Sequence, residues 1–161
     1  ARTLRLMIFD VDGVLTDGTI YPMEAGSELK PFHTLDGHGM KLLQEDGIRV
    51  AIITGRRSAA VEQRAAGLGI DLLFQGVGDK SVVFDMLRRN LAVQESECGC
   101  MGDDVVDLPV MRRCALAFSV PEAPMAVRRH ADHVTRARAG RGAVRETCEL
   151  LMFARRITVP A

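Results

Sequence analysis

The chain has 161 residues, 47% hydrophobic and 26% charged, enough apolar material for one buried core and too much for a disordered segment. Its 21 basic and 21 acidic residues cancel, so no global field favours nucleic acid or an anionic membrane, and any anion specificity has to come from a local site. No apolar stretch approaches the ~20 residues of a membrane span. No basic-plus-apolar leader opens the sequence, so the expected location is the cytoplasm.

Five apolar runs read as strands: Leu4–Phe9, Arg49–Ile53, Leu72–Phe74, Cys98–Met101 and Ala115–Ser119. Helical patterns fill the gaps at Gly37–Asp46, Ser58–Leu68, Ser81–Leu91, Val105–Arg113 and Ala123–Arg129, and a last one spans about Gly142–Arg155. The Ser81 helix is the plainest, with Val82, Val83, Met86, Leu87 and Leu91 forming one stripe. Strands alternating with helices predict an α/β fold with a doubly wound, three-layer parallel sheet. One segment breaks the rhythm. Thr19-Ile20-Tyr21 and Glu28-Leu29-Lys30 flank the turn-like Pro22-Met23-Glu24-Ala25-Gly26, which predicts a β-hairpin over about 18–33. No repeat or linker divides the chain, so 1–161 reads as a single domain whose tail and final helix occupy about 138–161.

The first strand ends in Asp10-Val11-Asp12-Gly13, at the edge where open α/β sheets place their ligands. Carboxylates two apart can face one side, so one can act on a substrate while the other handles protons. A solvated strand end with a turn glycine is the plainer alternative for an isolated pair, and three later signals weigh against it. The second strand runs into Thr54-Gly55-Arg56, a hydroxyl, a glycine-freed N–H and a guanidinium suited to a phosphate. Lys80 opens a helix after Gly76-Val77-Gly78-Asp79, against the usual dipole preference unless lysine and helix end share an anion. Met101-Gly102-Asp103-Asp104-Val105-Val106-Asp107 then gathers three acids at a strand-to-helix junction. Such acids repel unless a cation offsets them, and hard oxygen ligands suit Mg²⁺ rather than zinc.

In this order, one element per strand end, the four signals resemble the haloacid dehalogenase superfamily of phosphotransferases. Asp10–Gly18, Ile53–Arg56, Leu108–Met111 and Gly140–Glu146 narrow the likeness to its capless sugar-acid phosphatases. The resemblance implies hydrolysis of 3-deoxy-D-manno-octulosonate 8-phosphate (Kdo 8-phosphate) in lipopolysaccharide precursor synthesis. It makes Asp10 the nucleophile and Asp12 the general acid and base. Mg²⁺ is expected on Asp10, the Asp12 carbonyl and Asp103, and Thr54 and Lys80 are expected to hold the phosphoryl oxygens. Asp104 and Asp107 would orient the metal's waters. Substrate contacts map onto Asp12, Lys80, His33, Thr34, Leu35, Asp36, Gly37, Lys41, Arg56 and Arg64. Lys41 stands where relatives often carry arginine, which keeps the charge and loses the bidentate fork. Arg56 favours an eight-carbon over a nine-carbon sialic-type substrate, because relatives acting on the latter tend to carry an acid there.

With only residues 14–48 between the first two strands, no cap domain is expected. The resemblance implies a homotetramer in which neighbouring chains roof each site, with Gly140-Arg141-Gly142 as a mobile cover or an ordinary loop. A catalytically silent scaffold subunit is the alternative of another class, and the intact set Asp10, Asp12, Thr54, Lys80 and Asp103 speaks against it. His130 and His133 are expected to pack or face solvent, and no role follows for His38. Cys98, Cys100, Cys114 and Cys148 lack metal-ligand spacing and read as reduced thiols.

Overall fold

The computed structural model describes residues 1–24 and 28–156. The chain runs β1 (Leu6–Phe9), β2 (Tyr21–Pro22), β3 (Glu28–Leu29), α1 (Thr34–Glu45), β4 (Arg49–Ile53), α2 (Ala59–Gly67), β5 (Leu72–Phe74) and α3 (Lys80–Leu91). It continues through β6 (Cys98–Met101), α4 (Leu108–Met111), β7 (Leu116–Ser119), α5 (Met125–Arg128), β8 (His133–Val134) and α6 (Ala143–Arg156). Six strands form one parallel sheet in the order β5-β4-β1-β6-β7-β8. The winding reverses at β1, which pairs with β4 on one side and β6 on the other. In such sheets the crevice for a ligand opens beyond the carboxyl ends of the strands at that reversal.

β1 (Leu-Met-Ile-Phe) and β6 (Cys-Gly-Cys-Met) are buried along their whole length, as central strands covered by helices on both faces must be. Phe9, Ile52, Ile53, Phe84, Leu87 and Met101 are among the most enclosed side chains of the core. The predicted strands at 49–53, 72–74 and 98–101 coincide with β4, β5 and β6. β8 was not foreseen, since two residues leave no periodic signal. The helix expected over 105–113 is divided into a 3₁₀ turn (Val105–Asp107) and then α4, because Asp104 caps the first and Pro109 falls in the opening turn of the second.

The predicted hairpin is a separate antiparallel pair, Tyr21 opposite Leu29 and Pro22 opposite Glu28. Ala25 and Gly26 of its expected turn lie outside the described residues. Ile20, Tyr21, Met23 and Leu29 leave large apolar surfaces exposed on it. Between β1 and β4 the described chain holds this hairpin and α1, with no added domain.

The stretch around Gly140 is tied to the turn after β1 and to α1 by hydrogen bonds. The Gly140 N–H donates to the Val14 carbonyl at 3.0 Å, and Gly140 and Gly142 are both buried. The Gly142 N–H reaches Asp36 Oδ2 at 3.2 Å and the Arg145 N–H reaches Asp36 Oδ1 at 2.8 Å. Asp36, itself buried, thus satisfies donors at the start of α6 from another helix.

Candidate phosphoryl-transfer site

The ends of β1 and β6 bring their acids together. The Asp10 N–H donates to the Met101 carbonyl at 3.1 Å, prolonging the ladder by one residue beyond Phe9 and Met101. Continuing the registers sets Thr54 and Asp103 level with the Asp10–Asp12 turn. Gly13 makes the approach possible. It has φ +87°, which side-chain-bearing residues rarely adopt, and a Cβ there would lie 2.1 Å from Asp103 Oδ2, so a substitution would strain the turn and push the Asp103 carboxylate aside.

Asp10, Asp103 and Asp107 each place an oxygen within 4.8 Å of the others. Lys80, the first residue of α3, donates to Asp10 Oδ1 at 2.5 Å and to Asp107 Oδ1 at 2.6 Å. The predicted lysine at a helix start therefore meets two anions of the protein, while Asp79 caps the helix by accepting from the Ser81 N–H at 2.9 Å. Asp107 is spoken for at both oxygens, because Oδ2 accepts from the N–H groups of Asp103 (3.1 Å) and Asp104 (3.2 Å). It shapes the loop that carries Asp103. Asp104 is exposed, and its Oδ1 accepts from the Val105 N–H at 2.7 Å as a cap.

One cation does not balance three carboxylates, two of them buried and Asp103 half-buried. Burial, aided by the charges of Asp10, Asp107 and Asp104, pushes the Asp103 carboxyl up to about 8 from 3.8. Burial raises Asp10 to about 6, with Lys80 opposing and Asp107 adding. A hard divalent cation held by oxygens of Asp10 and Asp103 fits this set, since it removes the repulsion that otherwise favours protonation. A pH dependence follows. Folded-state values above the unfolded ones mean that these two carboxyls bind more protons in the native chain than in the unfolded one between pH ~4 and ~8, and their contribution is a stability that falls as pH rises. The metal-free protein therefore loses stability as pH rises through that window, and added Mg²⁺ flattens the loss. Melting curves at pH 5 and pH 8, with chelator or Mg²⁺, check this; a metal-free melting temperature that rises with pH contradicts it.

Beside this cluster lies a second one that the sequence did not announce. Lys30 Nζ donates to Asp12 Oδ1, and Lys30 also pairs with Glu28 at 3.2 Å. Arg56 reaches Glu28 at 2.7 Å and Asp12 Oδ2 at 3.9 Å. Period-two alternation explains how β3 does this, since Glu28 and Lys30 point one way and the exposed Leu29 the other. That alternation was readable in Glu28-Leu29-Lys30 and was taken only as strand pattern.

The remaining predicted residues spread along α1 and its surroundings. His33 caps α1, its Nδ1 accepting from the Leu35 N–H at 3.3 Å, and Thr34 and Leu35 are exposed in the first turn. His33 lines a cavity of about 60 Å³ with Asp17, Phe32 and Arg141. Arg64 lies across Gly37, where a Cβ would clash with its guanidinium at 2.0 Å, and it donates to the His33 carbonyl at 3.2 Å. Asp36 is turned into the protein, with both oxygens on α6, and burial raises its carboxyl despite those bonds. Its side chain is thereby removed from the set facing a substrate. Lys41 is exposed about two turns into α1, and no contact draws it to Asp10. Thr54 is buried at the end of β4, its Oγ1 accepting from the Arg56 N–H at 3.4 Å. His133 pairs with Glu146 at 3.1 Å and packs edge-on against Phe118, as a packing role requires. The four thiols are free.

No family model matches the chain. The 3-deoxy-D-manno-octulosonate 8-phosphate phosphatase KdsC of Escherichia coli strain K12 is 46% identical over 154 residues, 96% of this chain and 82% of that protein. A crystal structure of the phosphatase of that name from Moraxella catarrhalis, in complex with magnesium, phosphate and KDO, matches with a TM-score of 0.92. It shares 41% identity and covers 95% of this chain and 88% of that one. The cobalt-bound deoxy-D-mannose-octulosonate 8-phosphate phosphatase of Haemophilus influenzae matches with a TM-score of 0.92 and 38% identity, over 96% and 90% of the two chains.

Proposed function

The chain belongs to the 3-deoxy-D-manno-octulosonate 8-phosphate phosphatases of the haloacid dehalogenase superfamily, and on that footing we propose that it hydrolyses Kdo 8-phosphate to Kdo and phosphate with Mg²⁺ as cofactor. The observation that carries the reading is the meeting of Asp10, Asp103 and Lys80 at the point where the sheet reverses, with Asp12 one turn away.

Asp10 attacks phosphorus, forming an aspartyl-phosphate as the sugar oxygen departs. Asp12 gives that oxygen its proton and then takes one from the water that frees phosphate. Lys80 holds Asp10 in line, and Lys80 and Thr54 steady the phosphoryl oxygens as charge moves onto them. Oxygens of Asp10 and Asp103 and the Asp12 carbonyl would hold the metal. When bound, Mg²⁺ neutralises carboxylate and phosphoryl charge and keeps Asp10 ionised. Arg56, half-exposed at the rim, together with His33 and Arg64, is suited to the sugar acid's carboxylate and hydroxyls. Leu35 and Gly37 supply backbone there, and Thr34 its side chain.

We read 1–161 as one catalytic domain without a cap, acting in the cytoplasm. No helix among the described residues is long and apolar enough to cross a membrane. The exposed Ile20, Tyr21, Met23 and Leu29 of the hairpin support a homotetramer in which hairpins meet.

Phosphate release measured across Kdo 8-phosphate, a sialic acid 9-phosphate and an aryl phosphate tests the assignment. Kdo 8-phosphate is expected to have the highest kcat/KM, and equal values for all three would remove the specificity. Chelation is expected to abolish turnover, with Mg²⁺ restoring it better than Ca²⁺, whose larger and looser shell spoils in-line geometry.

A further inference from the structure

Lys30 is hard to account for as a structural residue. It follows a two-residue strand on an exposed hairpin, yet its side chain is only 4% exposed. A lysine so placed costs stability unless its charge is paired. Its partners are Asp12 and Glu28, and Glu28, 13% exposed, is also held by Arg56 at 2.7 Å. The four groups make a chain, Arg56–Glu28–Lys30–Asp12, ending on the carboxylate assigned to proton transfer. Lys30 takes Asp12 Oδ1, so Oδ2 is the oxygen left to face the departing sugar. Among the described residues Arg56 is the other cation paired with that carboxylate, at 3.9 Å from Oδ2.

We infer that Lys30, braced by Glu28, is the positioning residue that aims Asp12 at the leaving oxygen. The inference rests on the acid role proposed for Asp12. In the step concerned, the bond from Asp10 to phosphorus forms and the bond from phosphorus to the sugar oxygen breaks. The electron pair stays on that oxygen, which takes the proton from Asp12 Oδ2. Without Lys30, Asp12 is drawn toward Arg56, and a misplacement of about 1 Å can cost on the order of 10²-fold in rate. The loss concerns the proton, so it depends on how much the leaving group needs one. A sugar alkoxide needs it, and a 4-nitrophenolate hardly does.

The test compares the first-turnover release of alcohol from Kdo 8-phosphate and from 4-nitrophenyl phosphate, so that hydrolysis of the aspartyl-phosphate does not enter. For Lys30→Met the rate on the sugar phosphate is expected to fall about 10- to 100-fold, and the ratio of the two rates by at least about 10-fold. Glu28→Gln is expected to act in the same direction more weakly, and Lys30→Arg to restore part of the ratio. Melting curves confirm that the variants are folded. Equal losses on the two substrates, or a raised KM with an unchanged rate, would overturn the inference. Asp12→Asn separates it from its premise. If that variant lowers the ratio and Lys30→Met does not, only the role of Lys30 falls. If Asp12→Asn leaves the ratio unchanged, the acid role of Asp12 falls and the inference with it.

Discussion

Asp10→Asn is expected to lower turnover by about 10⁴-fold or more, the scale seen when a covalent nucleophile is removed, while the protein stays folded. An amide oxygen is a poor nucleophile and cannot complete an acyl phosphate. Stability should move the other way. Asp10 clusters with Asp103 and Asp107, burial and the neighbouring acids hold Asp10 and Asp103 at raised values, and Lys80 keeps its bond to Asp107 when Asp10 is neutral. At pH 8 without metal, the variant should therefore melt no lower than the wild type. Phosphate release and a thermal melt suffice to check both halves. Substantial residual turnover contradicts the nucleophile, and a large drop in melting temperature means that Asp10 is needed for folding.

Lys80→Met should damage activity and stability together. Among the described residues the lysine is the one cation bonded to both Asp10 and Asp107, and losing one member of a buried charged set costs about 3–5 kcal/mol. The loss should be greatest at pH 8 and smaller at pH 5, where Asp10, raised to about 6, takes up a proton and the repulsion fades. Added Mg²⁺ should recover part of the stability and little of the rate. Removing one donor that stabilises transition-state charge costs about 10²–10³-fold in kcat, and the displaced Asp10 adds to that. Urea unfolding at the two pH values, with and without Mg²⁺, reads the first effect. A stability loss independent of pH would mean that Lys80 acts by packing alone.

Much of this arrangement was legible beforehand because it sits at strand ends. Long apolar runs declare buried strands, and the alternation of strand and helix leaves few topologies, so Asp10, Thr54, Lys80 and Asp103 could be set on one edge. Contacts between residues far apart in sequence could not be read in the same way. Asp36 looks like a substrate ligand in the string of letters and is a cap for a helix 106 residues later. Asp104 looks like its neighbour Asp103, and only the structure shows that its Oδ1 caps the turn through the Val105 N–H. Lys30 and Glu28 were in view as hairpin pattern, but only the fold of the hairpin over the β1 turn turns them toward Asp12. The split of the helix over 105–113 escaped notice because its apolar spacing is unbroken and its cause is a cap.

The capping of α6 by Asp36 has a bearing on synthesis. Asp36 accepts from the backbone of residues 142 and 145, and Gly140 props the Val14 carbonyl behind Asp10 and Asp12. At roughly 5–20 residues per second on the ribosome, those partners are made about 5–20 s after Asp36. Until then Asp36 lacks these two backbone donors and the Val14 carbonyl lacks the Gly140 N–H. The turn after β1 and the start of α6 are thus joined across more than a hundred residues, so this corner of the site closes only once both segments are in place.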